Sequence, residues 1–84
     1  MSKTVYVSLS ELSQHQTKAM RHIETWVHEE KTPAPLTEII KNMSNEGISK
    51  NTTVKALYIL IEKGYIRRAY TVTNKTFFVQ LRGL

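Results

Sequence analysis

The chain has no cysteine, two prolines, three glycines and one tryptophan among its 84 residues. Without cysteine there is no disulfide framework, no thiolate metal site and no Cys/His nucleophile. So few glycines leave no phosphate-cradling loop, and no Ser/His/Asp set is available, so an enzyme is not expected. His15, His22 and His28 fall on one predicted helix, where His15 and His22 share a face and His28 points elsewhere. Two imidazoles without Cys or Asp make a poor zinc site, and all three histidines read as surface groups, with no metal or cofactor expected. Long apolar runs are also missing: the longest, Ala56 to Ile61, has six residues, against about 20 for a membrane span. No apolar segment follows Lys3, so no signal peptide is read and a soluble, cytoplasmic protein is expected. No repeat, low-complexity tract or lipidation signal is present.

Acidic residues are scarce in one half only. Residues 1–47 hold five Lys and Arg against six Glu, whereas residues 48–84 hold seven against Glu62 alone, so formal charges of −1 and +6 make up the total of +5. A surface charged only for solubility would intersperse the signs. Segregation of this kind is the footprint of a polyanion binder. A chain this short forms one domain that buries only roughly 60% of its unfolded surface. Surplus apolar surface is then a candidate for cover by a second copy.

The most informative stretch runs from Ile48 to Ile66. Ser49 is a suitable N-cap, and Gly64 stands where the chain must turn left-handed to leave a helix, with Lys63 suiting the negative end of the dipole. At about 100° per residue, Thr53, Val54, Leu57, Leu60 and Ile61 share one side, and Asn51, Lys55 and Glu62 lie opposite. The opening turns thus offer Lys50, Asn51, Thr52 and Lys55, the short polar and cationic groups that reach base edges and phosphates.

Around this stretch, Val5, Val7 and Leu9 alternate with Tyr6 and Ser8 in a pattern that fits a short strand or an extended arm over residues 1–9. Residues 10–31 predict a helix. Ser13 and Gln16 have capping-box spacing, with Ser10 a competing start. Leu12, Ala19, Ile23, Trp26 and Val27 form its apolar side, with Met20 at the margin, and Trp26 is expected in the core or at a dimer seam. The prolines of Thr32-Pro33-Ala34-Pro35 end that helix and make a short connector. Residues 36–45 predict a second helix, capped by Thr37 and apolar at Leu36, Ile39, Ile40 and Met43, which Gly47 terminates. Residues 65–81 predict a hairpin, with Thr73-Asn74-Lys75 between its strands.

The segment LTEIIKNMSNEGISKNTTVKALYILIEKGYI, with Leu60, Gly64, Tyr65 and Ile66 in a Leu-x-x-x-Gly-aromatic-Ile pattern, resembles the helix-turn-helix of winged-helix DNA-binding proteins. RRAYTVTNKTFFVQL fits the slot of the basic wing that follows. The resemblance spans about residues 35 to 81. It implies an α+β winged helix-turn-helix over residues 1–84: three helices, with the helix-turn-helix at 36–64, followed by a two-stranded wing at 65–81, to which the strand or arm read at 1–9 would be added. ALYIL also resembles the subfamily that recognises left-handed duplexes. That pattern needs an Asn one turn before the Tyr, where this chain has Val54, and a Pro-x-Trp wing element that it lacks.

The expected partner is double-stranded DNA. Ser49, Lys50, Asn51, Thr52 and Lys55 are its candidate contacts on the third helix, and Arg67, Arg68, Asn74 and Lys75 its candidates on the hairpin. Trp26, Tyr58 and Ile59 are the candidate homodimer surface. The resemblance implies a transcriptional regulator, with a plasmid partition or replication role as alternatives. A winged-helix module that docks on proteins is the rival from another class.

Overall fold

In the computed structural model the described residues are 12–84, so the strand or arm expected at 1–9 and the start at Ser10 lie outside them. The described residues form an α+β fold of three helices and a three-stranded antiparallel sheet. The order is α1 (Gln14–Glu30), β1 (Ala34–Pro35), α2 (Leu36–Asn45), α3 (Lys50–Glu62), β2 (Ile66–Tyr70) and β3 (Thr76–Gln80).

α1 opens with the expected capping box. The Gln16 amide donates to Ser13 Oγ at 3.3 Å, and the Ser13 amide donates to Gln16 Oε1 at 3.0 Å, pairing groups that the helix leaves open. It closes at Lys31, a non-glycine residue at φ 60 whose amide donates to the Val27 carbonyl.

The connector does more than end a helix. Because proline disfavours helical geometry before it, Ala34 is already extended, and Ala34 and Pro35 form β1, pairing with Phe78 and Phe77 of β3. Proline is tolerated there because β1 is an edge strand. The sheet order is β1-β3-β2. Thr37 does not cap α2. The extended Pro35 occupies the cap position without a side-chain bond, and helix begins at Leu36, which leaves Thr37 inside the first turn.

α2 and α3 end alike. Gly47 (φ 79) and Gly64 (φ 78) adopt the left-handed conformation. The Gly47 amide donates to the Ser44 carbonyl and the Ile48 amide to Met43, while the Gly64 amide donates to Ile61 and the Tyr65 amide to Leu60. This is the Schellman arrangement, and in both copies the residue after glycine is buried among the core residues that include its helical partner.

The core gathers Ala19, Met20 and Ile23 of α1, Ile39 and Met43 of α2, and Ala56, Leu57 and Leu60 of α3, closed by Ala34, Ile66 and Phe78 of the sheet. Met20, expected at the margin, is fully buried. Trp26 is half-buried, packed against the core with its indole N–H donating to Thr32 Oγ1 at 3.2 Å. Thr53 is the buried polar residue of α3, and its hydroxyl donates to the Ser49 carbonyl at 2.9 Å.

His22 is not a plain surface histidine. Its Nε2 bonds the Glu46 carboxylate, which Lys18 Nζ also approaches at 3.6 Å, tying α1 to the turn between α2 and α3. Among the described residues no three or more metal-binding side chains cluster, and no helix is long and apolar enough to cross a membrane.

Candidate functional site

The turn at Gly47 delivers the chain into α3 with its first residues outward. Ser49 accepts the Thr52 amide at 3.2 Å and donates to Thr52 Oγ1 at 3.0 Å, so both hydroxyls of this pair are turned back on the helix. The amides of Lys50 and Asn51 precede the first intrahelical bond and face the helix mouth, where the helix dipole favours an anion. Lys50, Asn51 and Lys55 are exposed, and Thr52 is partly so. Asn51, Lys55, Tyr58 and Glu62 recur at helical spacing as the outward stripe of α3, which carries no acid before Glu62.

The hairpin tip is a three-residue loop, Val72-Thr73-Asn74. The Asn74 amide donates to the Thr71 carbonyl at 3.0 Å and the Thr71 amide to the Lys75 carbonyl at 3.2 Å. Thr73-Asn74-Lys75 lies between the strands as expected, but β2 ends at Tyr70, so Thr71 and Val72 belong to the connection and not to the strand. Asn74 takes the left-handed position at φ 62. Thr71 Oγ1 accepts the amides of Thr73 and Lys75, each at 3.3 Å, and bonds Thr73 Oγ1 at 2.8 Å. The loop that presents Lys75 is therefore internally braced.

Arg67 and Arg68 part company. Side chains alternate across a strand, and Ile66 points into the core. Arg68 shares that face and lies over the Tyr58 ring, 5.3 Å from its centroid, while Arg67 projects from the opposite face. Arg68 thus joins α3, and Arg67 does not. Along the same seam Val54 of α3 and Thr76 of β3 line one cleft with Tyr58 and Arg68.

No protein family, curated protein or solved structure matches this chain.

Of the apolar surface residues, Trp26 is partly turned inward, Ile59 is half-buried and Tyr58 is 52% exposed beneath Arg68. Sequence reasoning passed over Tyr70 and Val72, which stand exposed beside the hairpin tip. Tyr70 shares the strand face of Ile66 and Arg68 but lies at the end of β2, next to the hairpin connection. Arg82, counted in the sequence only as a charge, stacks over Tyr65 at 4.1 Å and donates to its hydroxyl at 3.1 Å.

Proposed function

We propose that the chain is a winged-helix protein that binds double-stranded DNA with sequence selectivity, in the role of a transcriptional regulator. The observation that carries this reading is the exposed, acid-free opening of α3, where Lys50, Asn51 and Lys55 surround two open backbone amides. A phosphate oxygen at those amides would anchor the helix, Asn51 and Lys55 would face base edges, and Lys75 and Arg68 would hold the flanking backbone. Thr52 contributes less directly than Lys50, since its hydroxyl is held by Ser49. Arg67 stands apart from this set.

A mobility-shift assay on random duplex, followed by binding-site selection, tests the reading. With about four to six phosphate contacts, log K falls with log salt at a slope of about −4 to −5. An affinity insensitive to salt would refute it. Asn51→Ala is expected to cost about 1–3 kcal/mol of discrimination at one base position. If the selected sequences stay unchanged in that variant, Asn51 does not read bases. The homodimer is a separate proposal, resting on Tyr58 and Ile59, and light scattering that finds a monomer at micromolar concentration retires it.

A further inference from the structure

Between α3, the start of α2 and the sheet lies a cleft of about 110 Å³. Leu36, Val54, Leu57, Ile61 and Phe78 wall it, and its one charged lining group is Arg68. Apolar cavities of about 150 Å³ hold a benzene ring, so this smaller, open cleft fits one ring or a short branched chain with its polar end outside. Drug-sized ligands need several hundred Å³ and are excluded.

The polar end is determined by what surrounds the mouth. Arg68 makes no ion pair within 4 Å among the described residues, and its guanidinium lies over the Tyr58 ring. Glu62, one turn beyond Tyr58, is not bonded to it. Stacking on an aromatic ring occupies the face of a guanidinium and leaves its edge donors free, and that fork matches a carboxylate. We propose that this cleft binds a small monocarboxylate with an apolar body, seated ring-first between Leu57 and Phe78 with its carboxylate on Arg68. Occupancy of the site does not rest on the DNA reading.

The test is a titration of isotope-labelled protein with benzoate, without DNA, followed by NMR, with benzyl alcohol as the uncharged control. Benzoate is expected to saturate with Kd on the order of 1 mM, moving resonances of Leu57, Tyr58, Arg68 and Phe78. Benzyl alcohol should bind about tenfold more weakly, as should benzoate to Arg68→Gln. Val54→Phe, which fills the cleft, should abolish binding while its spectrum and melting stay those of a folded protein. The proposal is overturned if benzyl alcohol binds as well as benzoate, if the shifts centre on Lys50, Lys55 and Lys75, if folded Arg68→Gln keeps full affinity, or if nothing moves up to about 10 mM.

Discussion

Gly47 and Gly64 have open space where a Cβ would stand, so the penalty for alanine at either is conformational and not steric. Each substitution is expected to destabilise by about 1–2 kcal/mol, read as a lower urea midpoint with an unchanged slope. Lys31 is the converse case. It holds a left-handed φ of 60 without being glycine, so Lys31→Gly should raise stability by up to about 1 kcal/mol in the same assay. Both glycines were legible in the sequence, because each follows the last apolar residue of a helical period. Lys31 was not, since nothing in a lysine announces that conformation, and the prolines beyond it already explained why the helix stops. Met20 lies deeper than its marginal place in the helical period for a similar reason. Periodicity assigns a face, but which residue at its edge is covered depends on neighbours such as β1.

The clasp between α1 and the turn is the main electrostatic link between elements. The hydrogen bond from His22 holds the Glu46 carboxyl below its ordinary value of 4.5, partial desolvation opposing and the charges of His22 and Lys18 assisting. A carboxyl with a lowered folded pKa contributes stability above its unfolded value and loses it as pH falls through the folded one. Glu46→Gln should therefore lower the melting temperature at pH 7 and leave it nearly unchanged near pH 3, as melts at the two pH values would show. An equal loss at both would mean that the clasp is not ionic. At this scale the helices were readable from caps and spacing, and β1 was not: two residues are too few to show alternation, and their pairing depends on β3, more than forty residues away. The first strand of the hairpin ends two residues earlier than its β-branched composition suggests, because Thr71 turns its hydroxyl to the amides of Thr73 and Lys75 and so belongs to the connection.

Across the whole molecule, charge is sorted by element. The described acids other than Glu62 lie on α1, on α2 and in the turn after it, and the cations of the second half lie on α3, the hairpin and the C-terminal residues. The sequence already showed this sorting, and the exposed opening of α3 follows from its helical period. It did not show that an arginine doublet divides between two faces, because adjacency along a strand is opposition in space. Arg68→Ala is accordingly expected to weaken duplex binding several-fold more than Arg67→Ala, measured by fluorescence anisotropy at one salt concentration, and equal losses would place both guanidinium groups on the bound surface. α3 is also held by a glycine stop before it and another after it, with a buried threonine hydroxyl fastening its first turn. A helix fastened in this way offers a groove one orientation. On the proposed DNA reading, accommodation would then come from the duplex, and sites that twist or open cheaply would be favoured even at base pairs the protein never touches.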